Sequence, residues 1–286
     1  MEDKLIDMHL HTSFSDGELS PDELIDKAIS SNVSIMSITD HDTIDGLKSI
    51  NRDYSKKIEI INGIELSAKV PKGRMHILGY DFDINNQDLN NKLYELKNNS
   101  LQRVLSLIEQ LKKDYNIFFT YEEIKELINS NHNLGRPDLA RLLINHNLAE
   151  SVDEAFKKYL IAANKKIKGI NKETTYEECF NLILNSGGIP VLAHPKSLEL
   201  SNEELNNLVK RMKEIGLQGI EVYHSSHTKE EMKAYLELAQ KYDLLVSGGS
   251  DYHGSIVKPN VEIATGENNN IKIKKISLID KIRSRH

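Results

Sequence analysis

The sequence predicts an α/β fold in which a parallel sheet or barrel is interrupted by an all-helical insertion. Two observations support this prediction. Short apolar and β-branched runs alternate with helically periodic stretches over residues 1–97 and again over 169–286. Residues 98–168 instead carry almost only helical periodicity. We therefore expect one discontinuous domain, 1–97 with 169–286, and a helical insertion between its two parts.

The amino-terminal part begins the alternation of strands and helices. A helix is expected after Ser20, because serine caps a helix N terminus and Pro21 fits the first turn. A second helix is expected over 42–54. Apolar runs are expected as strands at 4–8, 33–39, 57–66 and 75–80.

The middle of the chain is polar, and its apolar residues have helical spacing. Helices are expected over 87–115, 121–128, 136–145 and 152–160. A strand signal occurs there only in the short run Ile117-Phe118-Phe119.

Alternation resumes after the insertion. Strands are expected at 188–193, 219–223 and 244–247, and helices over 202–215 and 229–242. The basic tail from Lys272 is expected to be solvated.

The composition is that of an ordinary globular protein, and it argues against several functional classes. The 286 residues carry a net charge of −6, whereas broad nucleic-acid surfaces are usually basic. No apolar run approaches the ~20 residues that span a bilayer, and the charged start does not resemble a signal peptide. The single cysteine, Cys179, cannot form an internal disulfide. We expect a cytoplasmic protein that does not contact a membrane.

Histidines and acids concentrate where the predicted strands end. His9 and His11 lie two residues apart at the end of the first strand, and in a strand this spacing puts both imidazoles on one face. Because ligands bind at the carboxyl ends of parallel strands, side chains scattered along the chain are expected to converge. The candidates at or beside strand ends are His9, His11, Asp40, His41, Glu65, His76, His194, Asp251 and His253.

Imidazole and carboxylate together are typical ligands of zinc, manganese or iron. The candidates outnumber the ligands that one ion needs, so two or three divalent ions are expected, with Glu65 able to bridge two of them. Metals ~3.5–4 Å apart clamp a phosphate and generate a hydroxide near neutral pH. The hypothesis is therefore hydrolysis of a phosphate ester by a metal-bound hydroxide.

Several residues in these patterns have two interpretations. Asp16, in Ser15-Asp16-Gly17, is either a metal ligand or a turn residue. His76 is either a ligand or an ordinary strand residue. Asp40 either binds metal or positions a ligand. Isolated histidines are interpreted as surface or core residues, namely His132, His146 and His286.

Taken together, the motifs resemble the PHP (polymerase and histidinol phosphatase) family. They are Asp7-x-His9-x-His11, Ser15-Asp16-Gly17, Thr39-Asp40-His41-Asp42, Gly63-Ile64-Glu65, Ala193-His194-Pro195 and Gly249-Ser250-Asp251-x-His253-Gly254. The resemblance implies a distorted seven-stranded (β/α) barrel with a di- or trinuclear metal centre. It also implies three ligand sets, which are His9, His11, Glu65 and Asp251; Glu65, His76 and His194; and Asp16, His41 and His253.

Two further segments resemble one subgroup of this family, the nucleoside 3′,5′-bisphosphate phosphatases and related 5′→3′ exoribonucleases. The segments are 134–141, in the helical insertion, and 221–227. Members often carry a histidine where this chain has Asp138. The resemblance implies a small phosphorylated substrate, either a nucleotide or the 5′ end of a short RNA, with the insertion capping the site.

Candidate substrate contacts come from the same segments. Arg136 stands at a predicted helix start, where a guanidinium beside free N–H groups is a good phosphate anchor. His224 and His227 follow a strand, and either could contact phosphate or protonate the leaving oxygen. Lys196 could add positive charge or be merely exposed, while Arg141 is more typical of a structural or solvated arginine.

Two rival functions stay open. One is a histidinol-phosphate phosphatase. The other is a metal-binding regulatory module without catalysis, against which the complete set of ligand positions argues.

Overall fold

The computed structural model describes residues 4–70, 72–129, 132–167 and 174–286. Seven strands form one sheet whose spatial order follows the chain. Their bounds are Leu5–Leu10 (β1), Val33–Ile38 (β2), Glu59–Ala68 (β3), Met75–Tyr80 (β4), Ile189–Leu192 (β5), Gly219–His224 (β6) and Leu245–Gly249 (β7). A separate two-stranded ribbon joins Val261–Glu262 (β8) to Gly266–Glu267 (β9).

The main sheet curls until its two outer strands meet. The Asp251 N–H, just beyond β7, donates to the His9 carbonyl at 2.8 Å, and the His11 N–H donates to the Tyr252 carbonyl at 3.1 Å. The sheet is thus a nearly closed barrel, which confirms the predicted seven-stranded α/β architecture.

Strand β4 runs against its neighbours. It pairs antiparallel with both β3 and β5, while the other neighbouring pairs are parallel. The expectation of a uniformly parallel sheet is therefore wrong at β4. The physical reason is the link between β3 and β4, which is too short to hold a crossover helix and can only form a hairpin. The reversal places His76, at the start of β4, at the carboxyl edge, meaning the sheet edge where the parallel strands end.

The helices cover the barrel and form the middle segment. Their bounds are Pro21–Ser30 (α1), Asp45–Lys48 (α2), Gln87–Tyr115 (α3), Tyr121–Asn129 (α4), Arg136–Asn145 (α5), Val152–Ala155 (α6), Ile161–Lys166 (α7), Tyr176–Asn185 (α8), Asn202–Glu214 (α9), Lys229–Lys241 (α10) and Ser277–Arg283 (α11). None of the helices in the described ranges has the length and apolar character needed to cross a membrane.

Two local predictions are wrong. The helix expected over 42–54 is reduced to α2, because Asp42 adopts a left-handed φ of 52° and the residues after α2 form turns. The run Ile117-Phe118-Phe119 forms no strand. It follows the end of α3, and Ile117 instead packs into the core of the middle segment.

Helix α3 connects two hydrophobic cores. Leu89 and Leu93 pack in the barrel core, whereas Leu107 and Leu111 pack in a separate core made by the middle segment. The helix is continuous over 29 residues, so the expected boundary at 97/98 falls inside it. The division into domains stays a prediction.

The carboxyl-terminal tail is part of the core, so its expected solvation is wrong. The Ile6 N–H donates to the Ile273 carbonyl at 2.8 Å, which lays the tail beside β1. Helix α11 then buries Leu278, Ile279 and Ile282 in a cluster with Met8. The basic residues of the tail point outward between these apolar positions, and the amphipathic spacing that results explains the burial.

Truncating the side chain of Leu278 tests the structural role of the tail. Leu278→Ala is expected to lower the free energy of unfolding by about 2–5 kcal/mol, because it leaves a cavity in a packed core. Urea unfolding followed by circular dichroism measures this change. The exposed Lys281 lies on the same helix and provides the control, Lys281→Ala. Equal effects of the two substitutions would contradict the assigned role.

Candidate metal centre

The nine predicted ligands meet at the carboxyl edge. His9 lies on β1 and His11 just after its end, while Glu65 lies on β3 and His76 at the start of β4. The other predicted ligands lie in the segments that follow strands; His41, for example, follows β2. The structure brings together all nine side chains, namely His9, His11, Asp16, His41, Glu65, His76, His194, Asp251 and His253.

The first donor cluster joins His9, His11, Glu65 and Asp251. The Nε2 atoms of His9 and His11 each lie 3.2 Å from Glu65 Oε2. Asp251 Oδ1 lies 3.5 Å from His9 Nε2 and 3.2 Å from His11 Nε2. Donors bound at about 2.0–2.1 Å in a tetrahedral arrangement lie about 3.3 Å apart, so this spacing suits a single cation.

The second cluster uses the other oxygen of Glu65. His76 Nδ1 lies 2.7 Å and His194 Nε2 2.9 Å from Glu65 Oε1. These two ring nitrogens are 3.3 Å apart. His41 Nδ1 approaches Glu65 Oε2 at 3.2 Å. Glu65 therefore faces a separate set of histidines with each oxygen, as a bridging carboxylate would.

The third cluster is built around Asp16. His253 Nε2 lies 3.1 Å from Asp16 Oδ1, and His41 Nε2 lies 3.9 Å from Asp16 Oδ2. His11 Nδ1 is 3.8 Å from Asp16 Oδ1. Asp16 is thus placed among histidines, although it lies in the turn that its local sequence predicts.

The buried charges of the centre favour ionised carboxylates. Burial alone would raise the pKa of Glu65, but His41, His76 and His9 hold it well below its usual value. Burial alone would likewise lower the pKa of His11, whereas the neighbouring carboxylates of Asp251 and Glu65 raise that pKa to about 9. Anionic oxygens are therefore available in a site that is largely closed to water.

Unsatisfied polar atoms show that the residues present fit a metal. Both ring nitrogens of His11, Nδ1 of His41 and Oδ1 of Asp16 are buried and lack a hydrogen-bond partner in the described part of the chain. Buried polar atoms are rarely left unpaired in this way. Nitrogen and carboxylate donors at these separations fit zinc, manganese or iron.

Asp40 lies beside the centre and contacts a loop. It accepts hydrogen bonds from the Thr12 N–H at 2.7 Å, the Thr12 hydroxyl at 2.6 Å and the Ser15 hydroxyl at 2.7 Å. Its second oxygen faces Gly46, where a Cβ atom would come within 2.2 Å. Asp40 is placed to hold the turn that carries Asp16.

A cavity of about 430 Å³ opens beside the second and third clusters. Arg74, Arg103 and Arg136 line it together with His41 and His76. Burial and the two neighbouring arginines lower the pKa of Arg136 to about 10. Within the described ranges, no carboxylate forms an ion pair with these three arginines, so the cavity suits an anion.

The start of α5 holds Arg136 at the cavity. Asp138 is buried and accepts a hydrogen bond from the Gly135 N–H at 2.7 Å, which closes the first turn of the helix. Arg141 donates to Asp138 at 3.1 Å and to the Asp16 carbonyl at 2.7 Å. Arg141 therefore ties the middle segment to the third cluster.

The other predicted substrate residues lie away from the cavity wall. Lys196 Nζ donates to the Ser226 carbonyl at 2.8 Å and to Glu231 at 3.1 Å. His227 is buried, its Nδ1 lies 2.9 Å from the Val222 carbonyl, and its Nε2 lacks a partner among the described residues. The structure does not bring these two side chains to the arginines.

His224 is placed against the first cluster. The Ser226 N–H donates to His224 Nδ1 at 3.0 Å, so Nε2 carries the proton of the neutral ring. That Nε2 lies 3.1 Å from Asp251 Oδ2. His224 thus contacts the side of Asp251 that is turned away from His9 and His11.

Four charged residues of the site had no predicted role. Glu221 contacts His9 and His194, and Lys258 forms an ion pair with Asp251 Oδ2. Arg74 and Arg103 accompany Arg136 in the cavity. For Glu221 the available signal was an acid inside an otherwise apolar strand, between Ile220 and Val222.

Comparisons with known proteins identify a family and several relatives. The profile of the PHP domain family matches residues 7–245. A 3′,5′-nucleoside bisphosphate phosphatase from Chromobacterium violaceum is 27% identical over 249 residues, which cover 87% of each chain. The 5′-3′ exoribonuclease Rnm of Escherichia coli is 31% identical over 252 residues, covering 87% of this chain and 85% of the relative.

A solved structure is similar over almost the entire length. It is described as an amidohydrolase from Chromobacterium violaceum with bound sulfate and no metal. It superposes with a TM-score of 0.80 at 25% identity, and the match covers 98% of this chain and 96% of the other.

Proposed function

The chain belongs to the PHP domain family, and from this premise we propose that it is a metal-dependent phosphoesterase acting on phosphate esters of nucleotides. The observation that carries the proposal is the shared carboxylate of Glu65, which joins two donor clusters beside an arginine-lined cavity. When bound, divalent ions supply a hydroxide nucleophile near neutral pH and offset negative charge on the phosphoryl oxygens.

The protein's own side chains position the substrate. We infer that Arg136, with Arg74 and Arg103, holds a phosphate that is not being cleaved, because these guanidiniums line the cavity together with His41 and His76 and pair with no carboxylate among the described residues. The scissile phosphate would then lie toward Glu65. The cavity volume of about 430 Å³ favours a nucleotide or one strand end over a duplex.

The preferred substrates are a nucleoside 3′,5′-bisphosphate and the 5′ end of a short RNA. Both carry a second phosphate beside the one that is cleaved. This second phosphate matches the arginines that line the cavity. The names of the two relatives support the same pair. Two or three bound ions are proposed, of manganese, zinc or iron, with the nine side chains of the centre as ligands. A cytoplasmic location is proposed from the single buried Cys179.

A substrate panel tests this function. Manganese-loaded protein is incubated with adenosine 3′,5′-bisphosphate, a 5′-phosphorylated short RNA and histidinol phosphate, and products are identified by chromatography. We expect kcat/KM to be at least about 100-fold higher for the better nucleotide substrate than for histidinol phosphate, because two or more charge-assisted contacts to the second phosphate are lost. Chelation of the metal is expected to stop turnover.

Three outcomes would contradict the proposal. A preference for histidinol phosphate would assign the protein to the first rival function. Metal binding without turnover of any ester would indicate the regulatory module. Turnover that survives complete removal of the metal would exclude metal-dependent chemistry.

A further inference from the structure

Glu221 lies behind the candidate metal centre and touches two of its histidines. It is fully buried on β6. Its Oε1 lies 2.9 Å from His9 Nδ1, and its Oε2 accepts a hydrogen bond from the His194 backbone N–H at 2.7 Å. One carboxylate therefore connects a histidine of the first cluster to a histidine of the second.

The contact with His9 sets the orientation of the imidazole. His9 Nε2 faces Glu65 and Asp251, at 3.2 Å and 3.5 Å. A neutral imidazole has one nitrogen that accepts or ligates and one that donates. With Nε2 directed at the cluster, the Nδ1–H donates to Glu221, which fixes both the tautomer and the rotation of the ring.

The contact with His194 holds an unusual backbone. His194 has φ 21° and ψ 70°, a conformation that residues other than glycine rarely adopt. Such a conformation persists when surrounding contacts define it. The hydrogen bond from its N–H to Glu221 is one such contact, and the result places His194 Nε2 2.9 Å from Glu65 Oε1.

Glu221 is poorly placed to ligate a cation itself. Each of its oxygens already accepts a hydrogen bond, from His9 and from His194. The neighbouring His224 is also committed, since Nδ1 accepts from the Ser226 N–H and Nε2 faces Asp251. His9, Glu221 and His224 have donor atoms within 4.8 Å of one another, but the hydrogen bonds that these atoms already make favour a positioning role for Glu221 over a separate metal site.

We propose that Glu221 is a positioning residue that presets His9 and His194 for metal binding. This inference rests on the proposed metal centre but assigns Glu221 no contact with substrate or metal. Hydrogen-bond partners of metal-ligating histidines affect metal affinity by about 10- to 100-fold. The residue is placed to act on two clusters at once.

Glu221→Gln is the sharpest variant. Glutamine has the same shape, but its amide has one oxygen that accepts and one NH₂ group that only donates. The NH₂ group would face an N–H donor, either that of the His9 ring or that of the His194 backbone. One of the two contacts must therefore be lost. Glu221→Asp keeps the charge but is one methylene shorter, so it also reaches only one partner. Glu237→Gln, on the exposed face of α10, is the matched control.

Metal affinity is the primary measurement. Manganese dissociation constants are obtained by competition with a fluorescent chelator, and thermal unfolding of the metal-free protein is recorded in parallel. We expect Glu221→Gln to weaken metal binding by about 10- to 100-fold. Excess manganese is expected to restore much of kcat, while Glu237→Gln behaves as the wild type.

Each outcome bears on the inference. Wild-type affinity in both Glu221 variants would overturn it and leave the proposed function standing. A loss of kcat that excess metal does not restore would also overturn it, because it would indicate a direct role in chemistry. If Glu221→Gln does not fold, weakened and metal-rescued binding in Glu221→Asp supports the inference and unchanged binding refutes it. A wild-type protein that binds no metal would overturn the proposed function and this inference together.

Discussion

Glu65→Gln is expected to lower kcat/KM by about 10³-fold or more and to reduce the metal content of the purified protein. Glu65 Oε2 lies 3.2 Å from ring nitrogens of His9, His11 and His41. Its Oε1 lies 2.7 Å from His76 Nδ1 and 2.9 Å from His194 Nε2. Removing the charge would weaken two clusters at once, and a loss of about 4 kcal/mol of transition-state stabilisation corresponds to that factor.

The measurement combines steady-state kinetics with metal analysis by mass spectrometry. Glu59→Gln is a suitable control, because Glu59 lies on the same strand but pairs with Arg283 at 2.6 Å on the surface. Retention of full activity or of the wild-type metal content in Glu65→Gln would show that this carboxylate does not bridge the centre.

Arg136→Ala is expected to raise KM about 10- to 150-fold for a substrate that carries a second phosphate. Charge-assisted hydrogen bonds are worth about 1.5–3 kcal/mol, which converts to this range. The guanidinium is partly buried in the cavity without a carboxylate partner in the described chain, so its charge is free for a ligand. A smaller change in kcat is expected because Arg136 would hold the phosphate that is not cleaved.

Two comparisons isolate this effect. Adenosine 3′-monophosphate lacks the second phosphate, so its KM should change far less than that of the bisphosphate. Arg211→Ala removes an exposed arginine from α9 and should leave both substrates unaffected. Equal increases in KM for the two substrates would place Arg136 at the scissile phosphate or in the fold instead.

Most of the proposed metal ligands could be predicted because they follow a local rule. A polar residue directly after an apolar strand lies at the carboxyl edge whatever the order of the strands. His41, His194 and Asp251 follow this rule, so their position at the carboxyl edge could be predicted without the tertiary structure. His76 breaks it, since it starts a strand, and its position depends on the reversal of β4.

Other parts of the site depend on geometry that periodicity does not contain. The register of β1 against β2 shifts between Asp7 and Leu10, so the faces of its side chains cannot be counted by twos through His9. The role of Glu221 could not be predicted from the sequence, because its contact with His9 depends on how the strands pack. Arg74 and Arg103 stand on separate elements, and only tertiary packing brings them to Arg136.

The predictions for the carboxyl-terminal tail and for the direction of β4 were wrong for two different reasons. The apolar residues of the tail were visible, but the surrounding lysines and arginines suggested solvation, and packing overrode that composition. The short link before β4 did contain a usable signal, since a parallel crossover needs a dozen or more residues. Loop length would have predicted the hairpin.

The reversal of β4 also determines the path of the chain that follows it. Because β4 starts at the carboxyl edge, the chain leaves it at the far edge, and α3, about 43 Å long, brings it back to the cavity, which Asn99 and Arg103 of this helix line. The chain leaves the barrel after β4 and returns next to the same place, where the Asp83 N–H donates to the Ser186 carbonyl at 2.8 Å. Adjacent ends of this kind tolerate exchange of whatever lies between them. None of the nine proposed metal ligands lies between Asp83 and Ser186, so exchange of the proposed substrate-selecting segment would leave all of them in the chain.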